Sequence, residues 1–400
     1  MRIGLFTDTY YPETNGVATS VYQLKKELER LGNEVYVFTV SNPIADEKEP
    51  NVFRIKSLPF LLFRERRVAC GIPLYWYTVI KKLHLDIIHT QTEFGVGNIG
   101  RMAAKLFHIP LIHTYHTIYE DYTHYLRIPG NRRLKGLIRR LSSMWCNQTD
   151  CVIAPTEKVK KLLEEYGVSK EIALQPTGIS LEKFARPDGN EIKRIQAELH
   201  LEKEDHILIS IGRVSKEKNL EELVRFLKQA AETDRHIKLL IVGDGPQQKE
   251  LKQLVAAKNL DDHVLFAGEV AWRDIQNYYA VGDVFVSAST SETQGLTYLE
   301  ALASGKPLLV RMDDCLEDVL LPGKNGVAYQ SEAEFLNACE NFWNGSKTWN
   351  ADVIRKSAVK LSSEQFGRHI LTVYETVTAQ TDHTGRKTYE DYGKIHSMVG

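Results

Sequence analysis

The sequence predicts an α/β protein of two domains, each a Rossmann-like parallel sheet covered by helices on both faces. Three observations carry this. Short apolar runs alternate with helical stretches through both halves of the chain, the pattern of strands joined by crossover helices. At 400 residues the chain exceeds what one core organises comfortably. The alternation breaks near Thr177–Ser180, where the polar, helical stretch Leu181–Leu201 precedes a second series.

Composition narrows the class. With 43% hydrophobic and 26% charged residues, the chain reads as an ordinary globular protein rather than a low-complexity one. No apolar run approaches the roughly 18 residues of a membrane span, and the N-terminus enters a strand with no signal-peptide pattern. The five cysteines are scattered and include no C-x-x-C pair. Neither a disulfide framework nor a structural zinc site is expected, and a reducing cytoplasm fits. Residues 1–177 hold 24 of the 51 basic and 18 of the 52 acidic residues, a net +6, which leaves −7 for the rest. A basic first half points to an anionic surface, membrane or nucleic acid, as partner.

In chain order, Arg2–Thr7 reads as a buried strand, Val17–Leu31 as a helix and Glu34–Val40 as a strand. Asp86–His89, Pro110–Thr114 and Cys151–Ala154 are further apolar strands. Ligands of such sheets collect beyond the carboxyl ends of the strands, so those loops hold the candidates. The first is Asp8–Gly16, whose Asn15-Gly16 allows a tight turn and close approach to a phosphate or sugar. The next is 113–125 (HTYHTIYEDYTHY), with three histidines, four tyrosines and two acids at the mouth of the sheet. His113, His116 and His124 lack metal-ligand spacing, so no metal is expected there.

Two basic stretches flank this loop. In Arg132–Trp145 the apolar residues Leu134, Leu137, Ile138, Leu141, Met144 and Trp145 form one helical stripe among Arg132, Arg133, Lys135, Arg139 and Arg140. The second stretch, Arg54–Arg67, has a net +4 from Arg54, Lys56, Arg64, Arg66 and Arg67 against one acid. Its apolar residues, Phe60 and Phe63 among them, show neither helical nor strand order. Either stretch can pack on its own sheet with its cations solvated, or attach to an anionic leaflet.

The second series opens with His206–Gly212 and GRVSKEKN, which sets Arg213 and Lys218 five apart where two cations can neutralise a diphosphate. Taken alone, those residues are better read as a solvated basic turn. Leu239–Pro246 (LLIVGDGP) and Val264–Val270 are further strands with their loops, and helical segments are expected from Leu296 to about Ala379. Between Val284–Ser287 and that helical region lies SASTSETQGLTYLEALASG, with Glu292 on a loop, Glu300 on a helix and Gly295 at its start. The amides of Gly295, Leu296 and Thr297 have no helical partners and favour an anion. A diphosphate there would put Glu292 beside a sugar and Glu300 near a ribose, each as a hydrogen-bond acceptor. A surface loop with both glutamates solvated fits the same spacing.

Glu292 and Glu300 match the E-x7-E signature, and the stretch resembles retaining glycosyltransferases of family 4, although Thr293-Gln294 stand where many members have Gly-Phe. The resemblance runs over about residues 1–380 with the motifs in the family's order: the Gly16 loop, His116, Arg213 with Lys218, GDGP, then E-x7-E. It implies the GT-B arrangement, two Rossmann-like domains facing across a cleft, with the last helix crossing back to the first domain. Domain limits are then 1–180 with about 364–380, 181–363, and a polar tail at 381–400. It further implies His116 near the reacting carbon, Arg213 and Lys218 on the donor diphosphate, and Gly16, Asp244, Gly245, Glu269 and Val270 around the donor.

Tyr115–Tyr125 most resembles bacterial diacylglycerol glycosyltransferases, a subgroup that builds membrane glycolipids. It adds Tyr119, Asp121 and Tyr122 to the acceptor candidates. The expected activity is transfer of glucose from UDP-glucose to 1,2-diacylglycerol with retention, at the cytoplasmic face of the membrane. Nucleic acid is not an expected partner. No D-x-D motif occurs, so neither metal nor cofactor is expected in the chemistry. The rivals are another lipid or a soluble sugar as acceptor, a nucleotide-sugar epimerase on the same fold, and a membrane-associated binding module without turnover.

Overall fold

A computed structural model describes residues 1–43, 45, 49–60, 63–69, 73–121, 131–344 and 349–383. The chain divides into two compact units, one of Met1–Gly178 with the last helix, Ser363–His383, and one of Ile179–Ser362.

Among the described residues the first unit has nine strands: β1 Arg2–Phe6, β2 Glu34–Val40, β3 Val52–Ile55, β4 Ser57–Phe60, β5 Phe63–Ala69, β6 Ile87–Thr90, β7 Leu111–Thr114, β8 Cys151–Ala154 and β9 Ile172–Leu174. Seven form a parallel sheet in the order β3-β2-β1-β6-β7-β8-β9. Both faces are covered, so the strands read as continuous apolar runs. Ile3, Leu5, Val35, Val37, Ile87 and Ile112 pack with Val21, Leu24 and Leu28 of helix Gly16–Arg30. Phe6, Phe38, Val40 and Ile88 point the other way, against Val96, Ala103 and Ala104 of helix Gly95–Phe107.

Ser363–His383 belongs to this unit because Phe366, Ile370, Tyr374 and Val377 recur at helical spacing and enter the same core. The Tyr374 hydroxyl lies 2.7 Å from Nδ1 of His89, whose Nε2 lies 2.7 Å from Thr114 Oγ1. Burial holds His89 well below the usual imidazole range, so the ring stays neutral and needs both partners. Tyr374→Phe leaves one ring nitrogen unmatched in the core and is expected to cost about 1–3 kcal/mol of stability, read from denaturant midpoints.

Among its described residues the second unit has six parallel strands: β10 His206–Ile211, β11 Ile237–Val242, β12 Val264–Gly268, β13 Val284–Ser287, β14 Leu308–Arg311 and β15 Gly326–Tyr329, in the order β12-β11-β10-β13-β14-β15. Ile207 and Ile209 of β10 face one core, and Leu208 faces the other.

Two expectations are corrected. The described residues of the Arg54–Arg67 stretch are mostly strand: β3 closes the edge of the sheet, and β4 and β5 pair antiparallel with Leu58 opposite Val68. The region after Gly305 is not helical throughout, because β14 and β15 intervene. Each is a four-residue strand buried in a parallel sheet, where neither length nor alternation sets it apart from helix. Among the described residues no helix is long and apolar enough to cross a membrane. Cys146, Cys151, Cys315 and Cys339 are free and buried.

Candidate active site

In the second unit the loops leaving β10, β11 and β12 are stitched together by their backbones. Gly212 N donates to Val242 O at 2.9 Å, Val214 N to Asp244 O at 2.9 Å, and Gly243 N to Gly268 O at 2.8 Å. Gly243 is required there: its φ is +138°, and a Cβ would stand 1.9 Å from Gly212 O. The stitching fixes the loop that carries Arg213 and the single turn Lys216–Lys218. Across it, Gly295 at φ +73° turns the chain after β13 into the buried helix Leu296–Ala303.

These elements form one pocket, lined by Gly212, Arg213, Lys218, Ser287, Glu292 and Thr297 among others. Within it Lys218 Nζ stands 2.5 Å from Glu292 Oε1, with the Glu292 side chain only 14% exposed. A half-buried cation beside the N-terminal turn of a helix suits an anion, and the carboxylate next to it suits hydroxyl groups. One turn further along, Glu300 meets a different set of partners. It is buried and accepts from the Tyr279 hydroxyl at 2.7 Å. Burial pushes its carboxyl upward, opposed by Tyr279, Lys183 and Trp272.

In the first unit, the loops after β6 and β7 bring Gln91, Glu93, His113, His116 and Tyr119 together. His116 Nε2–H donates to Gln91 Oε1 at 2.7 Å, which leaves Nδ1 as the unprotonated nitrogen. Burial, with the neighbouring His113, pushes His116 down to about 3. The ring is therefore neutral at any physiological pH and serves as a hydrogen-bonding group, not a proton carrier. Glu93 is buried and receives the Tyr119 hydroxyl on Oε2, while His113 Nε2 lies 3.2 Å from Oε1. The Gly16 turn is fixed by Asn15, whose side chain accepts from Ala18 N at 3.0 Å and donates to Thr9 Oγ1 at 2.7 Å.

Comparison with known proteins supplies the class. A model of glycosyltransferase family 4 matches residues 14–183, and a model of glycosyl transferases group 1 matches 191–348. The alpha-monoglucosyldiacylglycerol synthase of Streptococcus pneumoniae is 39% identical over 378 residues, covering 94% of this chain and 85% of that protein. The chain belongs to glycosyltransferase family 4. A protein with the same name from Acholeplasma laidlawii is 34% identical over 84% of the chain and 86% of its own length. Anabaena HepE, solved in complex with UDP-glucose, shares the fold, with a TM-score of 0.75 over 94% of this chain and 100% of that one at 17% identity.

Within this family 4 member the expected donor residues fall in the second unit, except Gly16, which opens helix Gly16–Arg30 of the first. Arg213, Lys218, Glu292 and Thr297 share one pocket, with Gly295 and Leu296 at the turn that opens the helix. Asp244, Gly245, Glu269 and Val270 lie on the stitched loops beside it, Asp244 and Glu269 exposed. Of the membrane and acceptor candidates, Arg54 turns inward: its side chain is 9% exposed, donates to Tyr11 O at 3.0 Å and pairs with Glu49 at 3.6 Å. Arg67 is held across its hairpin by Ser57. Arg139 pairs with Glu120, and Lys135 is partly covered. Arg133 and Arg140 are exposed, alongside Leu137 (53%), Leu141 (49%) and Met144 (54%). Asp121 follows Tyr119 on the same loop. Tyr122 and His124 lie outside the described residues, as do the side chains of Phe60, Phe63, Arg64, Arg66 and Arg132.

Sequence reasoning missed Gln91, Glu93, Lys183, Trp272 and Tyr279. For the first two a signal existed: they are the polar residues directly after the apolar run Ile87–Thr90, at a strand's carboxyl end. The other three sit on elements with no motif of their own.

Proposed function

We propose that this chain is a retaining glucosyltransferase that moves glucose from UDP-glucose to 1,2-diacylglycerol at the cytoplasmic face of a membrane. The acceptor and the transferred glucose follow the 39% identical relative, named an alpha-monoglucosyldiacylglycerol synthase. The observation that carries the chemistry is the Lys218–Glu292 pair at a helix N-terminus, which unites a cation for phosphate and an acceptor for hydroxyls in one pocket. In this reading Arg213, Lys218 and the amides at Gly295–Thr297 neutralise the leaving diphosphate, Glu292 accepts from the hexose and Glu300 from the ribose. Asp244, Gly245, Glu269 and Val270 border the donor.

Among the described residues Glu292 is the one carboxylate lining the donor pocket, and His116 is held neutral. The reading is therefore front-face: the departing phosphate takes the acceptor's proton while the two cations stabilise the charge that develops. It needs no divalent ion, since those cations do the neutralising. Membrane attachment is assigned to the exposed face of helix Asn131–Cys146 that carries Arg133, Leu137, Arg140, Leu141 and Met144.

Mass spectrometry of the product from UDP-glucose and diacylglycerol vesicles tests the activity, with the anomeric configuration read by NMR. Release of UDP without acceptor, or transfer only to a soluble sugar, would overturn it. The two glutamates should also separate. Glu300→Gln is expected to weaken UDP about tenfold, the scale of one buried charge-assisted hydrogen bond. Glu292→Gln should leave UDP affinity intact or slightly higher, since Lys218 is no longer drawn to it, while transfer falls. Calorimetry with UDP reads the difference, and equal losses would refute the assignment.

A further inference from the structure

We propose that Lys183 is a positioning residue for the donor site, holding Glu300 in place as the acceptor for the nucleotide's ribose. The inference rests on the donor reading above and adds a residue that none of its motifs contains.

Lys183 lies on the short helix Leu181–Ala185, just after the chain enters the second unit. Its ammonium stands 3.0 Å from the centre of the Trp272 ring and donates to the Trp272 carbonyl oxygen. Trp272 also bears on Glu300, and Tyr279, from helix Ile275–Val281, donates to Glu300 Oε2 at 2.7 Å. Three separate elements thus meet around one buried carboxylate: the entry helix, whose Phe184 packs edge-on against Tyr279 with ring centres 5.6 Å apart, the segment after β12 and the helix before β13.

The convergence has a physical consequence. A carboxylate this deeply buried takes up a proton unless a cation offsets the lost hydration. Tyr279 supplies a hydrogen bond but no charge. Lys183 supplies the charge, and the effect is mutual: burial draws Lys183 down to about 8, while Glu300 and Asp274 hold it up. The aromatic face and the backbone carbonyl locate the ammonium independently of Glu300, so the cation is in place before any ligand arrives. With Oε2 fixed by Tyr279 and a cation favouring the charged form, Oε1 is left to accept from a ribose hydroxyl. Without Lys183 burial would push the carboxyl further upward, toward a protonated group that is a poorer acceptor.

The test is a double-mutant cycle on the full chain, with UDP as the probe. Lys183→Met is expected to weaken UDP about tenfold and to raise KM for UDP-glucose by a similar factor, with kcat within about threefold of wild type. In a Glu300→Gln background the same substitution should have no further effect on UDP, and Lys183→Arg should restore most of the loss. Wild-type UDP affinity in Lys183→Met overturns the proposal, and so does an undiminished effect in the Glu300→Gln background. If Lys183→Met does not fold, Lys183→Gln carries the cycle with the same expected loss and the same overturning results. Lys218→Ala and Glu300→Gln separate the two readings. If both bind UDP normally, the donor site itself is misassigned; if both lose UDP and Lys183→Met does not, only this inference fails.

Discussion

Lys218→Ala is expected to lower kcat/KM for UDP-glucose by about 2–4 kcal/mol, roughly 30- to 1000-fold, the scale of losing one preorganised charge contact in a sheltered site. The reason lies in where the cation is held. Lys218 ends a single turn after β10, and its ammonium lies 2.5 Å from Glu292 with the carboxylate largely covered. Removing it takes away a charge poised for the diphosphate and leaves Glu292 buried without its cation, so both substrate-facing groups are disturbed. Arg213→Ala should behave similarly, because the stitched loops fix it in the same pocket. UDP affinity should fall with the rate, since both cations already meet the ground-state diphosphate. Lys218→Arg should retain more binding than Ala but misplace the charge. Initial rates with UDP calorimetry provide the check, and near-wild-type turnover in either alanine variant would remove the donor site from this pocket.

Combined change of the helix Asn131–Cys146 is expected to abolish sedimentation with anionic vesicles. Leu137, Leu141 and Met144 recur at helical spacing and stand about half exposed, with Arg133 and Arg140 exposed on the same side. Ser142 and Cys146, on the opposite side, are buried. The helix therefore has a packed face and an apolar face edged with cations. Each surface cation contributes about 1 kcal/mol near an anionic leaflet, so losing Arg133 and Arg140 should lower partitioning about thirtyfold at low salt, and reversal to Glu by more. Leu137→Asn with Leu141→Asn should reduce binding at high salt as well, because insertion of apolar surface is not screened. Transfer to detergent-dispersed acceptor should survive in both variants, since the donor residues belong to the other unit. Vesicle binding that ignores both sets of mutations and salt would sink the assignment. The β4–β5 hairpin, where Leu58 is 64% exposed, would then be the better candidate.

These two predictions differ in how far the sequence alone leads to them. Arg213, Lys218 and Glu292 carry a motif, and the structure adds that the last two are already paired. The membrane face is different, because the six apolar positions of the stripe do not share one environment. Leu134, Ile138 and Trp145 are partly covered while Leu137, Leu141 and Met144 face outward, a division that depends on how the helix is rotated against its sheet. Arg54 shows the converse: in sequence it belongs to a basic run, in space it is enclosed by Glu49 and Tyr11.

The sequence by itself determined the fold class, most of the parallel strands and the loops at which polar residues collect. Those follow from local periodicity and from glycines that only certain turns accept, such as Gly243 and Gly295. Only the tertiary structure decided which groups meet. Lys183 and Trp272 are far apart in sequence, as are His89 and Tyr374, and each pair joins elements whose ordinary apolar spacing says nothing of a polar partner. Which charges are offset, and so which groups stay neutral or ionised, is set by desolvation and by neighbours brought in through packing, and neither is written in any short stretch of chain.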